Sequence, residues 1–442
     1  MLSKLIVKYE LKKIILAIPS ASKAKRREIL SSLEQLDIDI LTIPNMADIL
    51  AGHAKIEDVS QVDINDLLGR DGVSPEPGLL MKNISDKTVL VTGAGGSIGS
   101  ELCRQIILQK PSQLVLFEKN EYSLYAIEQE LLHIADTENI DVPIFPILGS
   151  VQSFERLVNV FNGFGVDTIY HAAAFKHVPL VEQNVVEGIR NNVFGTLHAV
   201  KAAVEASVEA FVLVSTDKAV RPTNIMGATK RYAELVCQAF AFDPATATQF
   251  TIVRFGNVLG SSGSVIPKFR QQIEKGGPVT VTHQDITRYF MTIPEAAQLV
   301  IQAGAMSKGG EVFVLDMGSP VKIIELAQRM IRLSGHSYRF ENQPARDGSI
   351  AIQIIGLRPG EKLFEELLVG DDVTGTAHES IMQALESFVE KDVLLNHIIQ
   401  LENLCDEYNV AAICSHLKEM PLAFEPISMS SDLLDQARLR TH

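Results

Sequence analysis

The feature that most limits how this chain can fold is Thr92-Gly93-Ala94-Gly95-Gly96-Ser97-Ile98-Gly99, directly after the apolar run Val89-Leu90-Val91. Glycines at Gly93, Gly96 and Gly99, between a strand and a helix, permit a tight turn and close backbone approach to a pyrophosphate. The helix that follows offers free N–H groups and a partial positive charge to the same anion. Downstream, strand and helix patterns alternate, with strands expected at 87–92, 114–118, 143–148, 167–171, 210–215 and 250–255. That alternation predicts an α/β fold with a doubly wound parallel sheet.

After Gly256 the alternation weakens. Short segments such as Pro278–Thr282 and Glu311–Asp316, with helices near 294–306 and 321–334, predict a smaller C-terminal substrate lobe. Upstream, residues 12–18 read as a buried strand, 23–36 as a helix and 38–43 as a second strand. They form a small N-terminal α/β half-domain without a glycine fingerprint. The expected division is 1–70 for that half-domain, 71–84 for a Gly/Pro-rich linker, 85–370 for the catalytic domain and 371–442 for an amphipathic helical tail.

Composition narrows the partners. The length of 442 residues corresponds to two or three domains. A net charge of −14 without a basic stripe argues against nucleic acid. Cys103, Cys237, Cys405 and Cys414 lack metal-ligand spacing, which predicts reduced thiols in a cytoplasmic compartment and no metal. No apolar run approaches the roughly 18 residues of a membrane span, and the N-terminus has no signal-peptide core.

Several positions point to a dinucleotide. Glu118 closes the second strand about twenty residues past Gly99, where a carboxylate accepts bonds from ribose hydroxyls and repels a 2′-phosphate. This favours NAD over NADP, although the adjacent Lys119 offsets part of the repulsion. Ser150 and Val151, after the third strand, are placed to meet the adenine. The small residues Ala172, Ala173 and Ala174 after His171 let the backbone pass close to the cofactor, and Asn192 is placed to bridge strand and helix near the ring. A second cluster ends the run Phe211–Val214: Ser215, Thr216, Asp217 and Lys218, with Lys230 one turn into the next helix. They bring a hydroxyl, an acid and a base to the nicotinamide. Met226 stands four residues before Lys230, where a tyrosine would be expected.

These motifs resemble the extended short-chain dehydrogenase/reductase superfamily, which has a Rossmann-like sheet. Within it they resemble bacterial UDP-N-acetylglucosamine 4,6-dehydratases of the polysaccharide-biosynthesis type. The strings that carry the resemblance are Thr92–Gly99, His171–Pro179, Ser215–Lys230, Arg254–Pro267 and Leu357–Lys362. Residues 1–70 resemble the cytoplasmic segment that precedes the catalytic domain in long, membrane-anchored members. The chain is therefore expected to be a shortened form, at the inner face of the membrane when anchored, or a naturally soluble relative. Long members carry Met at the position of Met226 and resemble the enzymes that retain the C5 configuration. Short members keep Tyr and invert it.

The resemblance implies loss of hydride from C4, loss of a proton from C5, departure of hydroxide from C6 and return of hydride to C6. The expected product is UDP-2-acetamido-2,6-dideoxy-α-D-xylo-hexos-4-ulose, a precursor of deoxyamino sugars for surface polysaccharide or glycoprotein glycans. Asp217 is the candidate acid at C6 and Lys218 the candidate base at C5. Lys230 and the cationic nicotinamide are expected to disfavour the charged form of Lys218. Thr216 would hold the C4 oxygen and Lys230 the nicotinamide ribose, while a water beside Met226 would relay the C4 proton. Lys176, His177, Asn257, Val265, Lys268, Thr282, Arg288, Arg358 and Glu361 complete the implied substrate set. The competing readings are a sugar-nucleotide 4-epimerase and a non-catalytic NAD or nucleotide-sugar sensor. Small residues on helices near 184–207 and 226–241 (Ala199, Val200, Ala202, Ala203, Val204, Ala233, Val236, Ala239) predict close helix pairing in a homodimer.

Overall fold

The computed structural model describes residues 2–18, 20–33, 36, 38–43, 60–61, 73–344, 348–366, 373–427 and 431–440. The chain divides into two compact units, 73–256 with 293–317 and 358–442, and 1–72 with 257–292 and 318–357.

The larger unit is built on a sheet with nine strands among the described residues, numbered here within the unit: β1 (Thr88–Thr92), β2 (Gln113–Glu118), β3 (Ile144–Leu148), β4 (Thr168–His171), β5 (Ala210–Val214), β6 (Gln249–Arg254), β7 (Val312–Leu315), β8 (Val373–Gly375) and β9 (Ile381–Ala384). The order is β8-β9-β7-β6-β5-β4-β1-β2-β3. From β3 to β7 every pairing is parallel, while β9 and β8 add antiparallel at one edge. All five residues of β1 are buried. An unbroken apolar run is what a parallel strand covered on both faces requires. Strand order reverses between β1 and β4, and ligands bind beyond the strand ends at such a switch point.

Helices α1 (Ser97–Leu108), α2 (Glu121–Thr137), α3 (Phe154–Phe164), α4 (Gly195–Glu205), α5 (Ile225–Ala241), α6 (Ile293–Met306), α7 (Lys391–Asp406) and α8 (Val410–Glu419) pack around the sheet. The five residues before α4, Arg190–Phe194, form a turn of π-helix. Such wide turns often mark functional sites, and this one carries Asn191 and Asn192.

Four expectations change. Of the expected 71–84 linker, the described residues 73–84 are not free: Pro77–Met81 is helical, Lys82 Nζ donates to Ala305 O (2.6 Å) and Asn83 Nδ2 to Gly304 O (3.1 Å). The 371–442 tail is not purely helical, because it first contributes β8 and β9. Its helices then enter the core through Leu394, Ile398, Leu401, Ile413 and Leu417. The small residues expected at a subunit seam are used within the chain. Ala199, Val200, Ala202, Ala203, Ala233, Val236 and Ala239 are buried, Val204 packs against the same core, and α7 lies on α5.

The fourth change concerns the N-terminal segment, which does not stand as a separate domain. In the second unit Lys13–Leu16 pairs in parallel with Asp39–Thr42, and Asp39 bridges to Ser334. The first of these strands is not buried, since its pattern alternates and Ile15 is 53% exposed. The helix there is described over Lys23–Leu33. Strands Val279–Val281, Ser337–Phe340 and Ser349–Ile354 form a parallel sheet in the same unit.

Candidate active site

The glycine loop joins β1 to α1 at the switch point. A Cβ on Gly99 would lie 2.0 Å from the Gly93 carbonyl oxygen, so no other residue lets α1 start this close to the turn. An open cleft beside it is lined by Gly93, Gly95, Gly96, Glu118, Lys119, Gly149, Val151, Ala172, Ala173, Ala174, Phe175 and Asn191. Ser97 and Ile98 open α1 at its edge.

Glu118 accepts backbone N–H bonds from Lys119 and Asn120 (both 2.9 Å) on one oxygen and from Gly95 (3.2 Å) on the other. A carboxylate has about four acceptor sites, so one remains for a ligand. The Lys119 ammonium lies over the Phe175 ring at 3.8 Å. Ser150 is not among the residues lining the cleft, and its hydroxyl accepts the Gln152 N–H at 3.2 Å in the local turn. Val151 and Gly149 form that wall instead. Asn192 lies behind the wall, not on it. Its carbonyl accepts the Phe175 N–H (2.8 Å), and its amide donates to Phe175 O (2.9 Å) and Thr229 Oγ1 (3.0 Å). It thus ties the cleft wall to the helix that carries Lys230.

His171 is a positioning residue that the sequence reading did not assign. Thr196 Oγ1 gives its hydrogen to Asn192 O (2.7 Å), so at 3.3 Å it accepts from His171 Nε2. His171 Nδ1 then accepts from Thr92 Oγ1 (2.9 Å), which in turn accepts the Ala173 N–H (3.3 Å). Burial, with Lys230 pushing the same way, lowers the imidazole to about 3 and keeps it neutral.

The candidate catalytic turn, called the catalytic turn below, follows β5. Backbone bonds from Ser215 N to Val253 O (2.7 Å) and from Asp217 N to Phe255 O (3.0 Å) fix it to the end of β6. Thr216 caps the short 3₁₀ turn 217–219. Asp217 is buried, and its Oδ1 accepts from Thr216 Oγ1 and Lys218 Nζ, both at 2.9 Å. Its Oδ2 is buried with no hydrogen-bond partner among the described residues. Leaving such a group unpaired costs about 1–3 kcal/mol, and such atoms concentrate where function needs them. Lys218 Nζ also lies 3.5 Å from Glu365 Oε1. The sequence reading surrounds Lys218 with cations. Among the described residues the structure sets the carboxylates of Asp217 and Glu365 against it, the latter from a segment nearly 150 residues further along.

Lys230 is buried on α5 and donates to Val214 O at 2.7 Å. Burial lowers it to about 8, against the upward pull of Glu234. Ser215 gives its hydroxyl hydrogen to Glu234 (2.6 Å), so that hydrogen is not available to a cofactor. Glu234 also takes two bonds from Arg254, at 2.8 and 2.5 Å, and one from Arg231 at 3.1 Å. Burial pushes the Glu234 carboxyl up most strongly, but Arg254, Arg231 and the Ser215 hydroxyl together outweigh it and hold the group below its usual range. Glu386 pairs with both arginines. Met226 is buried in the core at the first turn of α5. Beside it, a Cβ on Gly227 would lie 2.2 Å from the Lys218 carbonyl oxygen, so glycine lets α5 reach the catalytic turn.

The substrate set is divided. Lys176, His177 and Arg358 are exposed in the larger unit, where His177 O caps helix Val178–Glu182 and Glu361 Oε2 accepts the Arg358 N–H at 3.1 Å. Asn257, Val265, Lys268, Thr282 and Arg288 belong to the second unit. There Asn257 donates to Tyr289 O (3.3 Å), and Arg288 Nη1 donates to Thr287 O (2.7 Å). Among the described residues no helix is long and apolar enough to cross a membrane.

A family model described as polysaccharide biosynthesis protein matches residues 89–386. The chain is 49% identical over 84% of its length to the capsular polysaccharide biosynthesis protein CapD of Staphylococcus aureus, spanning 60% of that protein. It is 30% identical over 69% of its length to a UDP-N-acetylglucosamine 4,6-dehydratase (inverting) of Campylobacter jejuni, covering 85% of it. A UDP-glucose 4-epimerase of Rickettsia prowazekii is 32% identical over 65% of the chain and 79% of its own length. Among solved structures, Pen from Bacillus thuringiensis superposes with a TM-score of 0.60 at 32% identity, over 72% of this chain and 99% of that one. With the matched segment spanning the glycine cleft and the catalytic turn, the chain belongs to the polysaccharide biosynthesis protein family and shares the fold of nucleotide-sugar short-chain dehydrogenases/reductases.

Proposed function

We propose that the protein is an NAD-dependent UDP-N-acetylglucosamine 4,6-dehydratase that retains the C5 configuration and yields UDP-2-acetamido-2,6-dideoxy-α-D-xylo-hexos-4-ulose. The observation that carries this reading is Asp217, a buried carboxyl with one oxygen held and the other unpartnered, adjacent in sequence to a lysine. Dehydration needs an acid for a departing hydroxyl and a base for the neighbouring carbon. An epimerase reading, which the Rickettsia relatives suggest, leaves a dedicated acid at C6 without a purpose.

The glycine cleft fits a dinucleotide, because only glycine is accommodated at Gly99 and Glu118 keeps an acceptor site for a ribose hydroxyl. Gly93, Gly96, Ser97, Ile98 and Gly99 would hold the pyrophosphate, Glu118 and Val151 the adenosine, Ala172–Ala174 the nicotinamide wall and Lys230 its ribose. NAD, when bound, supplies a hydride acceptor and donor that ends the cycle unchanged. Thr216 orients the C4 oxygen. Lys218 removes the C5 proton and later delivers to C5 a proton from its solvent-exchanging ammonium. Asp217 delivers a proton to the C6 hydroxyl, which leaves as water, and the proton lost by the C4 hydroxyl balances the one delivered. Met226, in place of a tyrosine, leaves the C4 proton to a water. Lys176, His177, Arg358 and Glu361, with Asn257, Val265, Lys268, Thr282 and Arg288, are proposed to hold the sugar, diphosphate and uridine.

Incubating the purified protein with UDP-N-acetylglucosamine in deuterated water, followed by proton NMR, tests the reading. The expected result is a 4-keto-6-deoxy sugar with C5 retained and deuterium at C5. An inverted C5 removes the stereochemical assignment, and a C4 epimer or unchanged sugar removes the dehydratase.

A further inference from the structure

Residues 360–366 run along the catalytic turn as a strap. Asn224 Nδ2 donates to Gly360 O (3.0 Å), Lys362 Nζ to Val220 O (3.1 Å) and Arg221 Nε to Glu366 Oε2 (2.7 Å). Between these contacts Glu365 is buried, its Oε1 3.5 Å from Lys218 Nζ. Asp217 holds the same Nζ at 2.9 Å. The reaction asks opposite things of these groups. Lys218 must be a neutral amine to act as a base, and Asp217 must be protonated to act as an acid. Once Asp217 carries its proton, Glu365 still sets a carboxylate against Lys218.

We propose that Glu365 is the positioning residue that takes the Lys218 proton and so frees the amine to act at C5, an inference that rests on the dehydratase reading. An N–H bond of Lys218 breaks and an O–H bond forms on Glu365, with no change in total charge. Entry of the sugar expels water, and a neutral amine–carboxylic acid pair then has no charges to desolvate. Lys218 next forms an N–H bond to the C5 hydrogen, and the C5–H electron pair stays on the sugar, conjugated with the C4 carbonyl. When Lys218 gives one of its three equivalent N–H protons, which exchange with solvent, to C5, it regains a proton from Glu365. The strap also carries Glu361, which accepts the N–H of Arg358 just before it, and both are proposed to meet the nucleotide.

The test is C5 deuterium uptake against pH for wild type and Glu365→Gln, with retained NAD and the thermal melt as folding controls. The expected loss in the variant is about a hundredfold near neutral pH. Uptake should recover as pH rises toward the lysine range, because Lys218 then loses its proton to solvent. Glu365→Asp should restore part of the activity. Arg221→Ala, which cuts only the exposed end of the strap, should cost less than about fivefold. Unchanged uptake in Glu365→Gln overturns the proposal, as does a loss that is the same at every pH or is matched by Arg221→Ala. If Glu365→Gln does not hold NAD, Glu365→Asp carries the test, and a pH profile identical to wild type overturns it. Failure of the wild type to dehydrate the sugar marks instead the failure of the dehydratase reading.

Discussion

The glycine cleft and the Thr216–Lys218 turn both lie beyond the carboxyl ends of strands of one sheet but are assembled differently. The cleft draws its lining from residues 93–191, on successive strands and loops, and depends on backbone and small side chains. The catalytic turn lies within 215–230, yet its charged partners Arg254, Glu365 and Glu386 come from far along the chain. Backbone recognition of a pyrophosphate is satisfied by a short glycine pattern. Setting the charge of a buried acid and base requires other buried charges, which reach the site only through the fold.

The largest expected effect breaks the catalytic side alone. Asp217→Asn should lower turnover by roughly 10²–10⁴, followed by NMR of the sugar, while the protein still retains NAD. Turnover close to wild type would remove Asp217 from the acid role. Next, Glu234→Gln removes the buried partner of Arg254 and Arg231. Leaving the two guanidinium groups to share Glu386 alone, with one buried positive charge in excess, should cost about 3–5 kcal/mol in urea unfolding. A loss below about 1 kcal/mol would mean that the network is not what holds the turn.

On the cofactor side, Gly99→Ala forces a methyl against the Gly93 carbonyl. It should destabilise by about 1–3 kcal/mol and release NAD on purification. If the variant keeps NAD, the loop has more room than its geometry indicates. Lys230 links the two regions through a pH effect. Folded, it titrates at about 8 because of burial, while an unfolded lysine titrates near 10.4. Between those values the unfolded chain holds a proton that the folded one has released, so stability rises with pH across that window. Urea unfolding should show this gain in wild type and not in Lys230→Met. The smallest effect belongs to the exposed Arg221–Glu366 pair, whose removal by Arg221→Ala should cost about 0.2–1 kcal/mol in the same assay.

The sequence by itself determined the strand–helix alternation, the glycine loop and the Thr216-Asp217-Lys218 cluster with Lys230. Each of these is written in periodicity or turn chemistry over a few adjacent residues. What only the tertiary structure decided is of another kind. It gave Glu365 to Lys218, Glu234 to Ser215 and Arg254, and the neutral His171 to Thr92 and Thr196. It also turned the expected linker and tail into packed parts of the unit, and buried within the chain the small residues that had suggested a subunit seam. A run such as Phe364-Glu365-Glu366 reads as surface charge until the strap is laid beside residues 218–224. The partner of a buried charge depends on which distant segments the sheet brings together, and spacing along a single chain does not contain that.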